Sequence, residues 1–446
     1  MARQRGTTPD RARLPRGGEF GAVWVGELGS VAGDQLAKVA VALLVFDRTG
    51  SAAWTGVAYA ANFLAPLVAG PLLAGLADRY RRRELMVNCL LLQALCVALM
   101  AVPAAPIPLL VAGTMVVASL QIPFKGAQGA VVRQVLADHL IENRALSPDD
   151  PARNELNGPG RARLLLIREI GQLAGLGGAA AVVLAIGTSW ALAADVVTYL
   201  LAAVLLRCGL RDRPAPTGAA AGSPAVASLF TQLQTAGRLV RDDRAVRLLV
   251  LFIALIGCTA AADAVVVPLT AELGAPRWAV GPLLAADCVG MIAGARWMER
   301  QPGSRKTQLM GPLAVLSVAP LVLFWFEPLA SVARGRDSGA WWWLTLSAGM
   351  LLVVSGACSV YYIGATADLT ERVNENVAGT VNGLSSTILR AAQGLGAVTA
   401  GGLAQFSSAG MAVALVGSLG VLLTGACAVQ WRRLQRSPQV RSTAEA

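Results

Sequence analysis

Twelve long apolar runs separated by polar turns set the first constraint on this chain. They fall at about 20–46, 54–77, 85–103, 107–124, 163–186, 189–206, 247–270, 279–297, 309–326, 341–362, 378–403 and 409–430. Each has about the length a helix needs to cross the hydrocarbon of a bilayer. Backbone groups in hydrocarbon find no water, so such runs must close their own hydrogen bonds as helices. Composition agrees: of 446 residues, 55% are hydrophobic and only 15% are charged, where a soluble chain carries about a quarter. Mean hydropathy is +0.56. The expected fold is an all-α membrane protein of twelve transmembrane helices in two pseudo-symmetric six-helix bundles.

The basic residues then give the sidedness. Counting alternate loops from the amino terminus, 32 of the 38 Lys and Arg lie on one side and four on the other: Arg48, Arg277, Arg334 and Arg336. Cytoplasmic loops of membrane proteins carry such an excess, so both termini are expected in the cytoplasm. The net charge of +11 thus reports topology, and no nucleic-acid partner is expected. Residues 1–19 form a tail, 20–207 the first bundle, 208–245 a central loop, 246–431 the second bundle and 432–446 a second tail. The stretch Arg213 to Pro224 is rich in Pro, Gly and Ala, a linker composition. A second long loop, about 140–162, carries Ser-Pro-Asp-Asp-Pro and has no functional reading. The first apolar run is too long and too acidic for a signal-peptide core, so cleavable targeting is not expected. Seven scattered cysteines, mostly inside apolar runs, and one histidine, His139, suggest neither a metal site nor a disulfide framework. No cofactor is expected, and neither a phosphate-binding loop nor a nucleophile elbow is present. An enzyme is not expected.

Charges inside the runs carry the functional signal, because a charge at bilayer depth costs at least ~2.5 kcal/mol. In span 1, Glu27, Asp34 and Lys38 lie within about 40° of one helical stripe at 100° per residue. The stripe must therefore face an interior cavity. Asp34 and Lys38, one turn apart, can pair, and the stripe serves either as a static ion pair or as a proton-loading site at Asp34 or Glu27. Arg168 and Glu169 open span 5 as a second charge site or as the helix entrance. Gly171, Gly175 and Gly178 form a small-residue stripe for close helix approach. Asp195, Asp263, Asp287 and Arg390 stand singly in spans 6, 7, 8 and 11, with Asp263 foremost because span 7 repeats span 1. The halves echo each other weakly. Leu166-Ile167-Arg168 matches Ile388-Leu389-Arg390, Asp34 matches Asp263, and the charged turn after span 2 matches that after span 8. Trp341-Trp342-Trp343 reads as an interfacial belt, and Tyr361-Tyr362 as a second belt or as cavity lining.

The turn after span 2 reads Gly75-Leu76-Ala77-Asp78-Arg79-Tyr80-Arg81-Arg82-Arg83. It resembles the signature loop between helices 2 and 3 of the major facilitator superfamily, with Arg81 where glycine is usual. That variant resembles the drug-exporter branch, which includes macrolide and siderophore efflux proteins. Gly70 and Gly75 would let the helix end pack tightly. The resemblance assigns Gly75, Asp78, Arg79, Arg82 and Arg83 to a gating turn. Gly29-Ser30 and Gly33-Asp34 resemble span 1 of the same branch. Lys125-Gly126-Ala127-Gln128-Gly129 resembles the Arg-x-x-Gln-Gly motif of proton antiporters, although a lysine snorkelling to the interface is the plain alternative. Span 5 resembles the antiporter signature, with Leu176 in place of its proline.

The resemblance implies secondary active export of a small amphipathic molecule across the cytoplasmic membrane by alternating access, in exchange for protons. Asp34 or Glu27 would carry the proton, with Lys38 as partner. Substrate, protons and lipid are the expected partners, and a monomer the expected form. An importer of the same fold, or a non-transporting member acting as sensor or assembly partner, are the rival readings.

Overall fold

The computed structural model describes residues 18–73, 75–144, 157–213, 237–238, 240–326, 341–372 and 375–436. The arginine-rich first tail, the 214–224 part of the linker, most of the 140–162 loop and the side chain of Asp78 lie outside the described residues. Among the described residues all regular structure is helical. The first half comprises α1 (Gly18–Thr49), α2 (Ala52–Leu73), the one-turn α3 (Leu76–Arg79), α4 (Arg82–Met100), α5 (Ile107–Arg144), α6 (Asn157–Ile186) and α7 (Thr188–Gly209). Spans 1 to 6 are α1, α2, α4, α5, α6 and α7.

In the second half, span 7 is broken into α8 (Arg244–Leu255), α9 (Gly257–Ala264) and α10 (Val266–Glu272). Pro268 explains the second break. It has no N–H to give the Ala264 carbonyl and its ring crowds that group, so the ladder yields at Val265, whose N–H bonds Ala262 instead. Span 8 is α11 (Val280–Glu299), span 9 α12 (Gly303–Val322), and span 10 the pair α13 (Trp341–Ser359) and α14 (Tyr361–Arg372). Spans 11 and 12 are α15 (Glu375–Phe406) and α16 (Ala409–Arg436). Among the described residues, eleven of the twelve spans are long and apolar enough to cross a membrane on composition alone. The exception, α15, is packed along α2 and α9.

The packing is pseudo-twofold. Within the first half α1 packs on α6 and α7, α2 on α5, and α4 on α5 and α7. Within the second, α9 packs on α15, α11 on α13, and α12 on α13 and α16, the equivalent pairs. Two symmetric pairs join the halves: α2 with α15, and α6 with α11. Glycine makes the first seam possible. A Cβ on Gly56 would lie 2.7 Å from the Ala397 carbonyl and 2.9 Å from the Gly401 Cα. At the second seam, a Cβ on Gly281 would lie 2.9 Å from the carbonyls of Leu176 and Gly177.

Two glycine expectations change. Gly171 and Gly175 do meet α1, where added Cβ atoms would lie 3.2 Å from the Leu28 carbonyl and 2.6 Å from that of Ala32. Gly178 does not belong to this stripe, because a Cβ there would meet nothing within 4 Å; the helix has turned it away. Gly75 is equally open, and Gly70 would meet only the Ile122 side chain at 3.8 Å. The close approach at this turn belongs to Gly126 of α5, whose Cβ would stand 3.3 Å from that of Ala77.

The charged turn itself is tied to its own bundle. Arg81 bonds Asp212 at 2.9 Å, and Arg83 reaches Asp212 at 3.4 Å and the Leu210 carbonyl at 3.2 Å. Arg213 joins Glu19 at 2.7 Å and Asp138 at 2.8 Å, and these bonds raise its pKa against the opposing effect of burial. Arg79 is exposed and Arg82 is half-buried. On the opposite face Trp278 and Trp341 meet edge to face at 6.0 Å, and Trp342 stacks on Trp343 at 3.9 Å.

Candidate substrate cavity

A cavity of about 470 Å³ lies at mid-depth between the two halves. At the face away from the termini the halves are closed over it. Ser51 donates to Gln405 at 2.7 Å, and Arg277 pairs with Asp47 at 2.9 Å. At mid-depth Tyr59 donates to Asp263 at 3.2 Å, again across the halves. The lining runs on toward the termini face through Arg168, Tyr362, Leu389 and Arg390. The described state is therefore closed at the far face.

Of the sequence candidates, Asp34, Lys38, Arg168, Asp263 and Arg390 line this cavity, joined by Asp195 and Asp287. The stripe on α1 is split between two environments. Asp34 accepts hydrogen bonds from Tyr199 of α7 and, at 2.6 Å, from Gln121 of α5. The expected Asp34–Lys38 pair does not form. Lys38 instead donates to Gln35 at 3.3 Å, and the Asp34 oxygens take Tyr199 and Gln121. Asp34 is thus a carboxyl held by two neutral donors and facing the cavity.

Glu27 lies outside that cavity and is 3% exposed. It takes a salt bridge from Lys125 and a hydrogen bond from Gln128 at 2.8 Å, both from α5. Lys125 therefore turns inward to a buried carboxylate, with Phe124 5.5 Å away, and does not snorkel to the interface. A buried pair of this kind is unforgiving: removing one partner strands the other charge and costs several kcal/mol. Glu169 stands off the cavity, and its Oε2 has no protein partner. Arg168, beside it, faces the cavity, so the two charges opening span 5 part company.

Asp195 is fully buried on α7, with Thr198 donating to Oδ1 at 2.9 Å and Oδ2 unsatisfied. Gly33 makes the room, since a Cβ there would overlap the Asp195 carboxylate. Asp263 sits at the end of α9, two residues before the break that Pro268 imposes. Discontinuous spans of this kind commonly form transporter sites. Tyr361 proves to be neither belt nor cavity lining: it is buried and donates to the Phe252 carbonyl at 3.0 Å, while Tyr362 lines the cavity.

The residues that sequence reasoning passed over are the neutral partners Tyr59, Gln121 and Tyr199. Each is a polar group inside an apolar run, which was the available signal. A second hollow of about 580 Å³ on the flank, at Leu323, Phe326, Trp343 and Met350, has no titratable group in its lining.

The whole chain superposes on solved transporters. It matches the nucleoside transporter NupG with a TM-score of 0.65 at 11% identity, covering 94% of this chain and 99% of that one. It matches the peptide transporter POT in complex with sulfate with a TM-score of 0.68 at 13% identity, covering 96% and 97%. A bacterial homologue of the human drug peptide transporters follows at 0.63 and 14% identity, covering 95% and 99%. At such identities the likeness establishes the fold alone. No curated protein matches the sequence. Residues 162–397, just over half of the chain, match the sequence profile of the Major Facilitator Superfamily, and with the fold and the mid-depth cavity this places the chain in that family of membrane transporters.

Proposed function

We propose that this protein exports a small amphipathic molecule across the cell membrane in exchange for protons, by alternating access, as a monomer with both termini in the cytoplasm. The observation that carries the reading is Asp34: a carboxyl at bilayer depth, facing a cavity closed on one side, with Tyr199 and Gln121 as neutral donors. A carboxyl so placed can load a proton when the cavity faces one side and release it on the other. Glu27, salt-bridged to Lys125, is the second candidate carrier. The bundles 20–207 and 246–431 act as the rocking bodies, with the turn from Asp78 through Arg83 as a gate. Export, as against import, rests on the resemblance of that turn and of span 1 to drug exporters. The energetics suffice: one proton crossing ~100 mV supplies about 2.3 kcal/mol, roughly a fifty-fold gradient.

The test compares wild type with Asp34→Asn in inverted vesicles. Quenching of a pH dye is followed while hydrophobic antibiotics, dyes and siderophores are added. Compound-triggered proton release in wild type, lost in the variant, is the expected result. Release that survives Asp34→Asn moves the coupling to Glu27 or to Arg168 and Glu169 of span 5. Accumulation of the compound only in right-side-out vesicles would establish an importer.

A further inference from the structure

We infer that the cavity is built for an organic anion, gripped by Arg168 from one bundle and Arg390 from the other with Lys38 beside them. The inference rests on the transport reading and adds the class of cargo. Both arginines line the cavity. They stand on α6 and α15, the two helices that exchange places under the pseudo-twofold, each of which packs against the opposite bundle. The local sequences, Leu166-Ile167-Arg168 and Ile388-Leu389-Arg390, put them at equivalent positions. A cargo on the axis would therefore meet one guanidinium from each side.

Neither guanidinium has a carboxylate within ion-pair distance among the described residues, and Lys38 donates only to the Gln35 amide. By contrast Lys125, a partly buried cation outside the cavity, holds the Glu27 carboxylate. Arg168 and Arg390 act on each other, while Lys38 feels the Asp34 carboxylate most strongly and both arginines after it. Three of the four cavity aspartates are hydrogen-bonded, and Asp287 has no donor among the described residues. Asp34 is bonded by Tyr199 and Gln121, Asp195 by Thr198, and Asp263 by Tyr59. Asp287, backed by α13 at Gly356, acts on Asp263 and Tyr59. Mutually repelling cations at this depth are costly unless something negative completes them. Two guanidinium forks match the paired oxygens of a carboxylate, sulfonate or phosphate head. Phe63, Met100, Leu284 and Met291 in the same lining offer contact to an apolar body.

The test uses one apolar body with five heads: 1-naphthoate, naphthalene-1-sulfonate, 1-naphthyl phosphate, 1-naphthamide and 1-naphthylmethylammonium. Affinity for the purified full-length protein is measured by thermal shift and by equilibrium dialysis. The anionic probes should bind at least tenfold tighter than the amide, and the ranking among them identifies the head. Arg168→Gln and Arg390→Gln should each weaken anion binding about 10- to 100-fold, the range of a charge-assisted hydrogen bond. The lysine replacements should keep part of it. Arg300→Gln, on an exposed loop, should leave it unchanged. An amide or ammonium probe binding as tightly as the anions would overturn the inference, as would anion affinity that survives both glutamine variants or no anion binding at all. Anion binding without proton movement would instead sink the coupling reading and leave this one standing.

Discussion

The two halves of the cavity share a fold but bond their acids differently. In the first half the cavity acids take their donors from their own bundle: Asp34 from Tyr199 and Gln121, and Asp195 from Thr198 at one oxygen, the other being unsatisfied. Glu27 behind them is matched by Lys125 and Gln128. In the second half Asp263 takes its hydrogen bond from Tyr59 of the other bundle. Asp287 has no donor, and Arg390, like Arg168 and Lys38 of the first half, has no acid within ion-pair distance, among the described residues. The acids of one half are bonded within their bundle; Asp263 of the other is bonded only across the bundles. The difference predicts where two separate properties reside: the cost of stranding a buried charge at Glu27 and Lys125 in the first half, and the response to bundle movement at Asp263 in the second.

The sharpest break of this comparison is Lys125→Met, which strands Glu27 without a cation. A loss of about 3–5 kcal/mol is expected, read as a large drop in thermal stability in detergent, with Glu27→Gln in the same chain restoring much of it. Asp263→Asn, in the second half, should shift stability far less. If the two substitutions cost the same, the contrast between the halves fails. Tyr59→Phe comes next. It removes a single hydrogen bond, worth about 1 kcal/mol, but one that spans the bundles. The far-face-open population should rise roughly fivefold, seen as longer spin-label distances across the far face, with the thermal midpoint little changed. Arg277→Ala is the smallest. That residue and Asp47 are 63% and 32% exposed, and a solvated pair is worth about 0–1 kcal/mol. A shift as large as that of Tyr59→Phe would mean that closure depends on the rim and not on Asp263.

What could be read along the chain, and what could not, divides by the range of the interaction. The twelve spans were legible because bilayer thickness fixes their length, and each span satisfies its own backbone. The seam glycines on α6 were half legible: Gly171 and Gly175 follow helical spacing onto α1, but the same spacing carried the reading one residue too far, to Gly178. The candidate residues were legible by cost, since Asp34, Lys38, Arg168, Asp263 and Arg390 are conspicuous in hydrocarbon. Their partners were not. Spacing paired Asp34 with Lys38 because it sees only neighbours on one helix, whereas Tyr199 lies 165 residues away and Gln121 lies 87 away. Lys125 and Glu27 were both singled out, yet nothing local joins residues 98 positions apart.

Sequence alone determined that this chain spans a bilayer twelve times, and which buried charges had to face inward. Those are local consequences of hydropathy and of the cost of charge in lipid. Only the tertiary structure decided which charges neutralise each other and which are left facing the cavity. That outcome depends on helices brought together from distant parts of the chain, where a shift of a few ångströms exchanges one partner for another.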